Sequence, residues 1–159
     1  MYKRQSNNRT TGGADAFINF LSEKLIPFVE NKFPNLSKSR GLLGHSLGGL
    51  FGTYSIQKRP NLFDNYILIS SSLSWNDDEL LNEVFFYDFK DSSKEHSLYL
   101  TYSKAEFDAT CKSNEKLNEI IKNLGKNNLK YSFEPYENLS HHSILSRAIY
   151  DGIFFTYKN

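Results

Sequence analysis

From Ala14 to Phe33, apolar residues stand at Phe17, Leu21, Leu25, Phe28 and Val29, the intervals of three and four that keep one face of a helix apolar. Gly12-Gly13 precedes this stretch and Pro34-Asn35-Leu36-Ser37 breaks it. The pattern then changes. Residues 40–45 are short and apolar enough for a buried strand, and a helix is expected from about Gly48 to Lys58. Tyr66-Ile67-Leu68-Ile69-Ser70 is a continuous apolar run with β-branched members, which suits a parallel strand covered on both faces.

Residues 77–86 read as a helix and residues 97–102 as a third strand. A helix over 113–124 places Leu117, Ile120, Ile121 and Leu124 on one face, with Gly125 as its C-cap. Residues 130–136 alternate like a strand. The last stretch, 144–157, returns to helical spacing through Ile144, Leu145, Ala148, Ile149 and Ile153. Strand and helix alternate throughout, which implies right-handed βαβ crossovers. The expected class is α/β, a mostly parallel sheet with helices on both faces.

Composition narrows the function classes. A chain of 159 residues, 39% hydrophobic and 15% aromatic, can bury one core. Its 19 Lys and Arg nearly cancel 18 Asp and Glu, and the basic residues are scattered, so neither nucleic acid nor a membrane surface is an expected partner. No apolar run approaches the length of a bilayer span. Cys111, without a second cysteine, can form no internal disulfide and no Cys-type zinc site, and a half-buried helix position is expected for it.

The first five residues are set apart from the fold. Met1-Tyr2-Lys3-Arg4-Gln5 is what GTG TAT AAG AGA CAG encodes when GTG is read as a start codon, and that string resembles a transposase mosaic end used in sequencing libraries. Residues 1–5 are therefore expected to be adaptor sequence, and residues 6–159 the domain itself.

Candidate chemistry centres on Gly44-His45-Ser46-Leu47-Gly48, a Gly-x-Ser-x-Gly between an expected strand and an expected helix. A serine at the tip of such a turn stands clear of the sheet, and side chains two positions to either side would crowd it, which Gly44 and Gly48 avoid. Gly49 lets the following helix pack closely. The helix start gathers positive potential for a developing oxyanion, with the Leu47 amide as first donor. His45, next to Ser46 on an extended strand, points to the opposite face and suits packing or hydrogen bonding rather than proton transfer.

A nucleophilic serine needs a histidine base and an orienting acid, which follow it in the order serine, acid, histidine in this class of fold. His141 and His142, between the last strand and last helix, are candidate bases. Glu106 and Asp108, after the third strand, are candidate acids. His96 reads as a surface residue.

With those residues in hand, the chain resembles the putative-esterase family that includes enterochelin esterases, S-formylglutathione hydrolases and feruloyl esterases. Four stretches carry the resemblance: Gly12-Gly13-Ala14-Asp15-Ala16-Phe17 with Leu25-Ile26-Pro27, Gly44 to Gly49, Arg59-Pro60-Asn61-Leu62-Phe63-Asp64, and the His141 region with Tyr150-Asp151-Gly152. It implies the C-terminal part of an α/β-hydrolase fold, without the N-terminal strands and the loop that gives a second oxyanion donor. It also implies His141 as base, in a His-Gly-Ser-like segment where His142 replaces glycine, and Glu106 rather than Asp108 as acid. Where relatives read Ser-Pro-Ser-Leu-Trp-Trp, Ser70 to Trp75 keep one aromatic. Trp75 is then expected to line the substrate pocket, with core packing as its alternative.

The expected activity is carboxylic-ester hydrolysis on a small molecule through an acyl-enzyme, impaired in a chain with half an oxyanion hole, and no metal or organic cofactor is implied. The alternatives are a non-catalytic binding domain on a hydrolase scaffold, and an acyltransferase or thioesterase using the same triad.

Overall fold

The structure, a computed structural model, describes residues 12–35, 39–75, 78–82, 94–124 and 128–158. It divides into two units, Met1–Lys38 and Ser39–Asn159.

Among the described residues of the first unit runs one helix, α1, made of Ala14–Phe20, a π-helical turn Leu21–Leu25, and Ile26–Lys32. Pro27 explains the turn. It has no N–H and its ring crowds the carbonyl four residues back, so the helix widens just before it, and the Ile26 N–H bonds to the Leu21 carbonyl. The extra residue rotates everything downstream. The apolar face expected from a uniform 3.6 period is not the buried one: Ile18, ahead of the turn, is buried, whereas Phe17, Leu25 and Phe28 are exposed.

In the second unit, strands β1 (Gly41–His45), β2 (Asn65–Ile69), β3 (His96–Thr101) and β4 (Leu129–Phe133) form a parallel sheet in that spatial order. Between and after them run α2 (Leu47–Lys58), α3 (Glu79–Asn82), α4 (Asp108–Asn123) and α5 (Ile144–Tyr157). Residues 1–5, residues 77 and 83–86 of the expected third helix, and Gly125 lie outside the described residues. Helix α4 begins at Asp108 rather than 113, because an acid in its first turn and the Asp108–Lys112 pair both favour helix there.

The helices cover both faces. A Cβ at Gly52 of α2 would strike Leu68, and one at Gly152 of α5 would strike Ile67 and Tyr99. Leu68 and Ile67 are consecutive on β2 and point oppositely, so α2 and α5 lie on opposite sides of the sheet. β2 and β3 are buried almost throughout, as their apolar runs anticipated. Under α5 the core is Ile67, Ile69, Tyr99, Ile144 and Ala148, with Leu145 and Ile149 partly buried against it. Ile153, expected on this face, is exposed, and Gly152 takes the contact instead.

The stretch Arg59 to Asp64 braces the other edge of the sheet. The buried Asp64 carboxylate accepts from the Arg40 amide at 2.8 Å, its carbonyl accepts from Ser97 N at 3.0 Å, and Lys94 pairs with it from solvent. His96 lies beside it and, contrary to expectation, is buried at 2% exposure, because it opens β3 and turns into the brace.

Candidate active site

The carboxyl ends of parallel strands share one edge, and the loops after β1, β2, β3 and β4 meet there. Ser46 follows β1 with φ 57° and ψ −116°, a conformation that costs a non-glycine residue about 1–3 kcal/mol. Three backbone bonds hold it. Its N–H donates to Ile69 O, and its carbonyl accepts from Leu50 N of α2 and Ser72 N, each at 3.0 Å.

The surrounding glycines do different things. A Cβ at Gly44 would collide with the backbone of Gly48 and Gly49, so the turn requires glycine there. A Cβ at Gly48 would meet nothing within 4 Å, so the crowding expected on both sides of the serine exists on one only. Gly49 packs against Ser71.

After β2 comes Ser70, buried and also at positive φ (45°), whose hydroxyl donates to Glu106 Oε1 at 2.5 Å. Asn114 of α4 pins the next residue by donating from Nδ2 to Ser71 O at 2.9 Å. Ser72 Oγ then lies 3.0 Å from Ser46 Oγ.

After β3, the Ser103 N–H also donates to Glu106 Oε1, at 3.2 Å. The Glu106 side chain is only 3% exposed, and its second oxygen accepts from His141 Nδ1 at 2.8 Å. A carboxylate only accepts, so the proton sits on Nδ1 and the Nε2 lone pair of His141 is left for a proton. The loop after β4 carries His141, and Ser103 Oγ holds this loop by accepting from Leu139 N at 3.1 Å.

The structure thus brings Glu106 and His141 together. It leaves Asp108 exposed and paired with Lys112, whose ammonium holds the Asp108 carboxyl below its ordinary range. His142 is exposed, its ring edge-on to His141 at 5.6 Å. The Ser46 hydroxyl is paired with Ser72 and not with His141. The elbow nevertheless touches the histidine loop through His45, whose Nε2 meets His141 O at 2.8 Å. Burial and the nearby His141 push the His45 pKa down, so His45 stays neutral at neutral pH.

Leu47 opens α2, where the first N–H groups have no intrahelical acceptor. Trp75, half-buried, ends the turn that starts at Ser72, its N–H on Ser72 O at 3.2 Å. Cys111 is half-buried in α4. Among the described residues no cluster of three or more His, Cys, Asp or Glu could hold a metal ion, and no helix is long and apolar enough to cross a membrane. Sequence reasoning passed over Ser70, Ser72, Ser103 and Asn114. A run of three hydroxyls directly after the apolar β2 was the visible signal for the first two.

A parallel sheet with helices on both faces, a serine on a strained strand-to-helix turn and an acid-histidine pair at the same edge define an α/β-hydrolase. The chain belongs to the putative esterase family, whose model matches residues 2–142. It is 46% identical over 75 residues to a siderophore enterobactin esterase of Emericella nidulans, covering 46% of this chain and 25% of that protein. It is 28% identical over 147 residues to the ferri-bacillibactin esterase BesA of Bacillus subtilis, covering 87% of this chain and 51% of the relative. The crystal structure of the BES protein from Bacillus cereus superposes with a TM-score of 0.85 at 28% identity, over 98% of this chain and 60% of that one. The chain therefore spans a quarter to a half of these curated relatives.

Proposed function

We propose that this chain carries the catalytic machinery of a serine carboxylic-ester hydrolase acting on siderophore esters through an acyl-enzyme. The observation that carries the reading is the Glu106–His141 bond at the edge where Ser46 stands on its strained turn. The names of the relatives supply the substrate class.

Ser46 leaves its bond to Ser72 and attacks the ester carbonyl carbon while His141 Nε2 takes its proton. Glu106 keeps the ring in the tautomer that can accept. The Leu47 N–H bonds the oxyanion as the carbonyl becomes tetrahedral. Collapse breaks the carbon–oxygen bond to the alcohol, which leaves with the proton from His141. Water then attacks the Ser46 acyl ester, His141 takes its proton, and the acid is released with Ser46 restored.

A fluorophosphonate probe tests this. The chain is expected to be labelled at one site and Ser46→Ala to lose all labelling, and labelling that persists in Ser46→Ala refutes the assignment. If Ser46→Ala behaves as wild type in ligand binding and no ester is turned over by either, the site is a binding site on a hydrolase scaffold.

A further inference from the structure

We propose that His45 is a positioning residue that sets the distance between nucleophile and base, by tying the backbone of His141 to the strand that carries Ser46. The inference rests on the reading of Ser46 and His141 given above and adds to it a residue outside the triad.

The loop bearing His141 needs such a tie. Its side-chain bond runs to Glu106 and its Leu139 bond to Ser103, both after β3, while Ser140 bonds Ser143 and the Ile144 N–H within the same segment. Ser46, however, follows β1, with β2 between. Two strand spacings, about 10 Å, therefore separate the nucleophile from the element that holds the His141 ring by hydrogen bond, although Leu139 and Ile144 also pack against the core at β2. An error of about 1 Å over that span costs on the order of a hundredfold in rate.

His45 closes the gap. It is the last residue of β1, one peptide from Ser46, and its side chain lies on the α5 face of the sheet, alongside Ile69. Its Nε2 is 2.8 Å from the His141 carbonyl oxygen, which can only accept, so Nε2 carries the proton. The two rings lie 4.4 Å apart at 40°. Glu106 thus fixes the His141 ring while His45 fixes its backbone. The groups that face His45 are His141, Glu106 and His142, and burial keeps the His45 ring neutral, so no second cation competes with the imidazolium that forms on His141.

The experiment compares His45→Gln with His45→Met, unbranched side chains of similar length with and without an N–H donor, and adds His45→Phe, which keeps a ring without the donor. Fluorophosphonate labelling rate, and kcat and KM on a p-nitrophenyl ester, are measured per folded molecule, with folded fraction from circular dichroism. Met and Phe are expected to lower the labelling rate and kcat about tenfold at unchanged KM, while Gln stays within about threefold of wild type. Wild-type kcat in Met and Phe overturns the proposal, and so does a Gln variant as slow as Met, which would show that only ring packing matters. Ser46→Ala runs alongside. If it is labelled as fast as wild type, the reading of the site has failed. If it is dead while Met and Phe are unimpaired, only the role of His45 has.

Discussion

Ser70 offers the sharpest test of how the acid is held. Glu106 Oε1 accepts from the Ser70 hydroxyl at 2.5 Å and from the Ser103 amide at the longer 3.2 Å, while Oε2 is left for His141. Ser70→Ala removes the shorter bond from a carboxylate that is almost fully buried. A hydrogen bond to a charged group contributes about 1.5–3 kcal/mol. Lost from the transition state, that amount lowers kcat/KM roughly ten- to hundredfold. The backbone supplies a control. Ser70 sits at φ 45°, where alanine keeps the strain and glycine relieves about 1–2 kcal/mol of it. Ser70→Gly is therefore expected to melt higher than Ser70→Ala while losing the same activity. Turnover of a p-nitrophenyl ester and thermal unfolding of the three proteins measure both quantities. Ser70→Ala within twofold of wild type in kcat/KM would refute the argument, as would an activity loss that followed melting temperature rather than the hydroxyl.

Three other outcomes follow from the same geometry. Glu106→Gln is expected to lower kcat by about a hundredfold or more, since the amide disturbs the His141 tautomer, whereas Asp108→Asn, on an exposed surface pair, leaves it unchanged. Gly44→Ala forces a methyl group into the backbone of Gly48 and Gly49 and is expected to destabilise the fold by about 1–3 kcal/mol or more, while Gly48→Ala meets open space and is neutral or stabilising by up to about 1 kcal/mol, both read from urea midpoints. His45 and His96 both have pKa values pushed down, by burial first, so between the folded values and the unfolded value of about 6.5 the unfolded chain binds more protons. Their contribution is complete above about pH 6.5 and is lost as pH falls toward the folded values, so unfolding midpoints should drop on acidification, less steeply in His96→Gln.

The alternation of strands and helices was legible in the sequence because both signals are local. The continuous apolar run at Tyr66 to Ile69, with its β-branched members, suited a strand covered on both faces, and the spacing over 144–157 suited a helix, as the structure has them. Gly44 and Ser46 were legible for a related reason, since a strand-to-helix turn this tight admits few residue types. Local pattern failed in α1. Pro27 put a π turn into a stretch that reads as one uniform period, and the buried residue is Ile18 rather than Phe17 or Phe28.

What tertiary structure decided was pairing between distant segments. Glu106 and Asp108 are two residues apart and chemically alike, yet one reaches His141 and is nearly buried while the other faces solvent with Lys112. His141 and His142 divide in the same way, because only one of them faces the loop after β3. Ser70, Ser72 and Asn114 acquired their places through the sheet, which brings the end of β2 between the serine and the acid. Sequence determines which groups are available and on which element each sits. Which of them come within hydrogen-bonding distance depends on the register of parallel strands far apart in the chain, and apolar runs buried on both faces, as in β2 and β3, have no alternation to record that register.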